Sequence, residues 1–114
     1  MAVIELNASN IFEKIENGLC LFINFSSPEK KQSIEFTNIF EQFSEKHKSV
    51  VFGRVKTEVE KDIVEGFEIT KTPTLIVFLE GKEMHNIPGA CEEATMKAII
   101  NETLDYLNDQ AKKK

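Results

Sequence analysis

The sequence has no tryptophan and only two cysteines, Cys20 and Cys91, in 114 residues. These cysteines are separated by most of the chain, so they do not form the C-x-x-C pair of a dithiol redox motif. Two cysteines are also too few for a zinc site on their own. The two histidines, His47 and His85, lie in unrelated segments. We therefore expect no bound metal and no catalytic dithiol.

The sequence also lacks long apolar runs and an excess of positive charge. The longest apolar runs, residues 19–23 and 75–79, are far too short to cross a bilayer. The first residues show no basic segment followed by an apolar core, so no secretory signal is predicted. The formal net charge is −5, which argues against nucleic acid because nucleic-acid binding relies on clustered Lys and Arg. We expect a cytoplasmic protein with neither nucleic-acid nor membrane partners.

What is present is an alternation of apolar strands and amphipathic helices. The length suits one domain, which we place at residues 1–108, with residues 109–114 as a tail or the start of a linker. The predicted order is β-α-β-α-β-α-β-β-α, with strands at residues 3–6, 19–25, 50–55, 74–79 and 83–87. Such an order implies an α/β domain with a mixed central sheet and helices on both faces.

Local signals predict where the helices and the hairpin begin. Asn7 is a candidate cap for the first helix, and Ser27, followed by proline, is a candidate cap for the second. The segment 57–60 has the spacing of a capping box and predicts the start of the third helix. Residues 80–82 predict a hairpin turn. The second helix bears one apolar stripe, formed by Phe36, Ile39, Phe40, Phe43 and His47.

Three short segments in a fixed order resemble the thioredoxin family. They are residues 69–75, containing Thr72-Pro73-Thr74, then Gly81-Lys82, and then Pro88-Gly89-Ala90. The resemblance runs from Val3 to about Leu107. It implies the thioredoxin fold, with about five strands flanked by about four helices, and a cis bond before Pro73.

The resemblance also locates the redox site of that family on this chain. It places the C-x-x-C motif on Lys30-Lys31-Gln32-Ser33 and the buried aspartate of the family on Asn24. Dithiol exchange requires an attacking thiolate and a second thiol to resolve the mixed disulfide. Neither serine nor lysine supplies one. We therefore predict no dithiol oxidoreductase activity, and we expect Asn24 to be buried and hydrogen-bonded.

A finer resemblance is to the thioredoxin-like domain that begins multidomain monothiol glutaredoxins of the PICOT type. It rests on residues 25–33, on Gly89-Ala90 and on the opening residues 3–7. It implies a link to iron–sulfur and redox homeostasis, with a partner protein or an attached glutaredoxin domain as the binding partner. The chain has no Cys-Gly-Phe-Ser motif, so we expect no cofactor on it.

If a ligand groove survives, it lies where residues 27–33 meet Lys71, Thr72 and Pro73. Glutathione or an extended peptide is the ligand that the resemblance implies there. Lys30 and Lys31 oppose the helix dipole at the first turn, which is compatible with an anion-binding role or with a solvated surface pair.

Two functions remain open at this point. The leading one is a redox-inactive module that binds or positions a protein. The alternative is a weak single-thiol or glutathione-linked activity at Cys91, which lies at the predicted start of the last helix, where a thiol pKa can be lowered. The adjacent acids Glu92 and Glu93 favour a passive thiol there. Cys20, inside a predicted strand, is expected to behave as a small hydrophobic residue.

Overall fold

The computed structural model describes residues 2–18, 20–89 and 92–112. Five strands form one sheet in the order β1-β3-β2-β4-β5, flanked by four helices. The elements in chain order are β1 (Val3–Glu5), α1 (Ile11–Asn17), β2 (Cys20–Ser26), α2 (Lys31–Lys46), β3 (Val51–Lys56), α3 (Lys61–Gly66), β4 (Thr74–Leu79), β5 (Lys82–Pro88) and α4 (Glu93–Lys112). The predicted order of elements and the α/β fold are confirmed.

The sheet is mixed, and β2 lies at its centre. β1 and β2 both run parallel to β3, whereas β4 runs antiparallel to β2 and β5 antiparallel to β4. Every residue of β2 and of β4 is buried. Strands covered on both faces read as nearly continuous apolar runs, which is why the sequence identified these two so readily.

Side chains that alternate along the strands pack into two separate hydrophobic cores, one on each face of the sheet. One core lies beneath α2 and α4 and includes Phe22, Phe40 and Phe52. The other lies beneath α1 and α3 and includes Ile23 and Phe25. Residues of even number in β2 therefore point toward α2, and residues of odd number point away from it. This alternation fixes which polar side chains reach the site described below.

Helix α1 begins later than its predicted cap suggests. The Asn7 side chain accepts hydrogen bonds from the backbone N–H groups of Ser9 and Asn10, at 2.8 and 3.2 Å. These bonds close a turn ahead of the helix, which itself begins at Ile11. Asn7 is therefore a capping residue of the preceding turn.

The predicted starts of α2 and α3 were wrong, because the proposed caps make other contacts. Helix α2 begins at Lys31, and neither it nor α3 has a side-chain cap. The Ser27 hydroxyl donates to Glu58 Oε1 at 2.8 Å. The Thr57 hydroxyl donates to the Ser26 carbonyl at 3.2 Å. Both contacts join residues 31 positions apart in the chain. The Ser27 hydroxyl oxygen also accepts a local hydrogen bond from the Glu29 backbone N–H at 3.4 Å, but this bond lies ahead of the helix.

The remaining predictions concern the chain beyond β4. Glu80 and Gly81 both have positive φ, 50° and 83°, and form the tight turn of the predicted β4–β5 hairpin. Helix α4 continues to Lys112, past the boundary predicted at residue 108. Within the described residues, no helix is long and apolar enough to cross a membrane.

Candidate functional site

The segment Lys30-Lys31-Gln32-Ser33 forms the start of α2, at the carboxyl end of β2. Lys30 is the N-cap residue and is exposed, as are Lys31 and Gln32. Ser33 is fully buried, with 0% of its surface exposed. Its hydroxyl accepts a hydrogen bond from the Ser27 backbone N–H at 3.2 Å. Ser33 thus ties the loop before α2 to the first turn of that helix and is not available to a substrate.

The loop before β4 faces this helix start. The Thr72–Pro73 peptide bond is cis, and Pro73 is buried. The Thr74 hydroxyl donates to the Lys71 carbonyl at 2.6 Å and closes the loop. Within the described part of the chain, the backbone of Thr72 makes no recorded hydrogen bond. An extended ligand can therefore pair with it.

A groove of about 260 Å³ lies between these two segments. It is lined by Ser27, Lys30, Thr57, Val64, Ile69, Thr70, Lys71 and Thr72. The structure thus brings Lys30 together with Lys71 and Thr72, as the sequence suggested. Two cations border a cleft whose floor includes aliphatic side chains.

Five described residues of the predicted site lie outside the lining of this groove: Asn24, Lys31, Gln32, Ser33 and Pro73. Lys31 is 90% exposed and approaches Glu35 one helical turn on, at 4.0 Å. Gln32 is exposed, and Pro73 is buried behind Thr72. Of the two adjacent lysines, Lys30 lines the groove and Lys31 does not. The second cation of the groove is Lys71.

Sequence reasoning missed Glu58 and the aliphatic lining from α3. Glu58 accepts the Ser27 hydroxyl proton and so holds one wall of the groove. Val64 and Ile69 are joined by a backbone hydrogen bond of 2.9 Å and form the opposite wall. No local pattern signals these positions, because each becomes relevant only once α3 packs beside the end of β2.

Asn24 is fully buried in the centre of β2, which confirms the expectation. Its Nδ2 donates to the Thr37 hydroxyl oxygen at 3.0 Å, while its Oδ1 is buried without a partner among the described residues. Asn24 is neutral, so the centre of the sheet has no carboxylate at this position. Asn24 is not part of the groove lining.

The two cysteines differ in what the structure shows. Cys20 is 2% exposed, and burial raises the pKa of its thiol to about 12. A thiol with that pKa is almost entirely protonated at neutral pH and is a poor nucleophile. Cys91, the candidate reactive thiol, lies outside the described residues.

The sheet order, the cis bond before Pro73 and the groove beside the start of α2 define a thioredoxin-fold domain. A family model described as Thioredoxin matches residues 2–102. The chain belongs to the thioredoxin family. A cysteine-to-serine mutant of Entamoeba histolytica thioredoxin superposes with a TM-score of 0.81 at 18% identity, covering 89% of this chain and 99% of that chain. Mitochondrial thioredoxin 3 of Saccharomyces cerevisiae gives 0.80 at 19% identity, covering 88% and 94%.

Relatives of two kinds are similar in sequence. Thioredoxin of Coprinus comatus is 29% identical over 96 residues, which cover 82% of this chain and 90% of that protein. Monothiol glutaredoxin-4 of Schizosaccharomyces pombe is 28% identical over 100 residues, 86% of this chain and 41% of the relative. Glutaredoxin-3 of Mus musculus is 23% identical over 93 residues, 79% and 28%. The chain thus spans less than half of either glutaredoxin and nearly all of the thioredoxin.

Proposed function

We propose that this thioredoxin-family domain is redox-inactive and binds a partner protein through the groove between Lys30 and Lys71. The observation that supports it best is the buried Ser33. The resemblance aligns Ser33 with the second cysteine of the family's C-x-x-C motif, and its hydroxyl accepts a hydrogen bond from the Ser27 backbone N–H. A hydroxyl has too high a pKa to attack or resolve a disulfide at neutral pH. The fold is retained, whereas the chemistry of dithiol exchange has no reacting atom at this site.

The groove fits an extended, anionic ligand. Lys30 and Lys71 are both exposed, and neither forms an ion pair within the described residues. The unpaired backbone of Thr72 offers main-chain hydrogen bonds of the kind by which an extended peptide adds to a strand. An acidic segment of a partner protein, or glutathione, meets these requirements.

We further propose that the partner is linked to glutaredoxin function. The resemblance of residues 25–33 to the leading domain of multidomain monothiol glutaredoxins supports this, as does the similarity to monothiol glutaredoxin-4. Similarity to thioredoxin of Coprinus comatus supports a thioredoxin-like role equally well. The full-length reading frame distinguishes these two roles, because a downstream domain with a Cys-Gly-Phe-Ser motif would favour the link to glutaredoxin function.

The redox prediction is tested by restoring the missing thiols. We expect the native protein to leave the rate of insulin reduction by dithiothreitol unchanged. The double variant Lys30→Cys with Ser33→Cys rebuilds the C-x-x-C spacing at the start of α2, where a helix N-terminus lowers a thiol pKa. We expect that variant to accelerate the turbidity of reduced insulin.

Cys91→Ser is the matched control for this assay. An accelerated rate with the native protein that disappears in Cys91→Ser would contradict the proposal and support the single-thiol alternative. An accelerated rate that survives Cys91→Ser would contradict both functions, because Cys20 is buried.

The groove is tested by charge reversal with glutathione as the probe. We expect reduced glutathione to shift the backbone amide resonances of residues 70–72 in a saturable manner. Lys30→Glu with Lys71→Glu should weaken this binding about three- to tenfold, as expected for two exposed charge contacts. Lys31→Glu is the control, because Lys31 does not line the groove. Equal affinity in all three proteins would show that the groove does not hold the ligand.

A further inference from the structure

A second cavity, of about 230 Å³, lies between the first half of α2 and the carboxyl ends of β2 and β3. Its lining consists of Ser26, Ser27, Pro28, Ile34, Thr37, Asn38, Arg54 and Lys56. It shares Ser27 with the groove described above, and neither Lys30 nor Lys71 lines it. It is therefore a separate candidate site, and nothing in the proposed function accounts for it.

The parallel register of β2 and β3 assembles the polar floor of this cavity. Asn24 lies opposite Arg54, and Ser26 lies opposite Lys56. All four have even numbers and so point to the same face as Phe22, beneath α2. In α/β sheets, ligands bind in the crevice beyond the carboxyl ends of the strands. Two cations and a hydroxyl thus meet at a position suited to a ligand.

Donor groups on three residues at this cavity have no partner within the described residues, and the buried Asn24 Oδ1 on the neighbouring strand is an acceptor that also has none. Asn24 Nδ2 donates to Thr37 Oγ1, so the Thr37 hydroxyl proton points away from that amide. No acceptor for this proton lies within hydrogen-bond distance among the described residues. Arg54 Nη2 binds Glu5, but Arg54 Nε is buried and has no partner within the described residues. The Lys56 side chain is exposed and forms no ion pair in that part of the chain.

Two acids contact residues of this lining, and both are already engaged. Glu5 binds Arg54, and Glu58 accepts the Ser27 hydroxyl proton. Neither acid is part of the cavity lining. Lys56 and Thr37 consequently bind no carboxylate within the described residues. An anionic ligand in the cavity supplies the acceptor that both groups lack.

The remaining wall is apolar and limits the size of the ligand. Pro28 and Ile34 line this side, and Ile34 is 49% exposed although it is a large aliphatic residue. The volume of about 230 Å³ is below the range of roughly 300–1,000 Å³ typical of pockets for drug-sized molecules. A group of a few heavy atoms, with one charged end and one aliphatic end, is the size that fits.

We propose that this cavity binds a carboxylate on a short aliphatic chain, with the charge at Lys56, Arg54 and the Thr37 hydroxyl and the chain against Ile34. The ligand is either a free short-chain carboxylate or an acidic side chain of a partner. The chemistry of recognition is the same in both cases. The proposal holds whether or not the Lys30–Lys71 groove is occupied.

Titration of isotope-labelled protein with butyrate tests the site, with butyramide as the neutral analogue of the same shape. We expect butyrate to shift the amide resonances of residues 34–38 and 54–56 in a saturable manner, and butyramide to leave them unshifted. Lys56→Glu should weaken butyrate binding at least about threefold, because it replaces an attractive charge by a repulsive one. Lys82→Glu makes the same change of net charge in the distant β4–β5 turn and should leave the affinity unchanged.

Glutamate capped at both ends, N-acetyl-glutamate amide, distinguishes the two sources of the carboxylate. Binding of the capped glutamate as tight as that of butyrate supports a partner side chain. Binding of butyrate alone supports a free small molecule. Equal shifts with butyramide, or an affinity unaffected by Lys56→Glu, would overturn the proposal. Shifts centred on Lys30 and Lys71 would do the same, because they would assign the carboxylate to the groove.

Discussion

Phe40→Ala is expected to remove about 3–5 kcal/mol from the free energy of unfolding. Phe40 is 0% exposed in the middle of α2. Its ring lies 5.8 Å from that of Phe36 and 5.2 Å from that of Phe52, in an edge-on arrangement with the latter. Truncation removes the contacts between helix and sheet and leaves a cavity that rigid β3 cannot fill. The measurement is urea unfolding followed by circular dichroism at neutral pH.

Phe12→Ala is the matched control for this measurement. Phe12 has the same side chain but is 61% exposed on α1, with one stacked ring, Phe67, at 6.4 Å. We expect its truncation to cost less than about 1 kcal/mol, the usual scale of a single aromatic pair. A loss at Phe12 as large as that at Phe40 would mean that burial does not determine the contribution of phenylalanine in this fold.

The core that Phe40 belongs to was predictable from the sequence, because its signal is periodic and local. The spacing of Phe36, Phe40 and Phe43 marks one helical face, and all three are buried. The apolar run at 74–79 coincides with β4 at both ends. The buried face of a helix or strand produces a periodic pattern of apolar residues, and this pattern can be identified in the sequence alone.

The helix starts were less predictable, because their polar groups have a choice of partners. Ser27 and Thr57 are residue types that commonly cap helices. In the folded chain, however, the Ser27 hydroxyl donates to Glu58 and the Thr57 hydroxyl donates to the Ser26 carbonyl. Such contacts form only after β2 and β3 pair. Lys71, in contrast, was placed beside the groove by the resemblance, and it does line the groove together with Lys30.

The donor-rich cavity had no signal in the sequence for a related reason. Arg54 and Lys56 alternate along β3 in a pattern common to any half-exposed strand. They form part of a candidate site only because the strand register places them opposite Asn24 and Ser26. Asn24 itself was identified only through the resemblance that aligns it with the family's acid, and its buried setting now allows the consequence of that replacement to be measured.

Asn24→Asp restores a carboxyl at the centre of β2 and is expected to make stability strongly dependent on pH. Asn24 is 0% exposed, and burial disfavours a charged carboxylate, so we expect the pKa of the new group in the folded state to exceed its unfolded value of about 3.9. Below that unfolded value, the carboxyl is protonated in both states and resembles the amide. Above it, the unfolded state loses its proton first, so stability falls with rising pH until the folded group also ionises.

For a rise of about two to three pH units in that pKa, the variant is less stable than the native protein by roughly 3–4 kcal/mol at pH 7 and nearly equal to it at about pH 4. Urea unfolding of both proteins at a series of pH values measures the difference. Asn101→Asp, at an exposed position of α4, is the control and should show a small difference that varies little with pH. A difference for Asn24→Asp that shrinks with rising pH would mean that Arg54 on the neighbouring strand stabilises the carboxylate more than burial disfavours it.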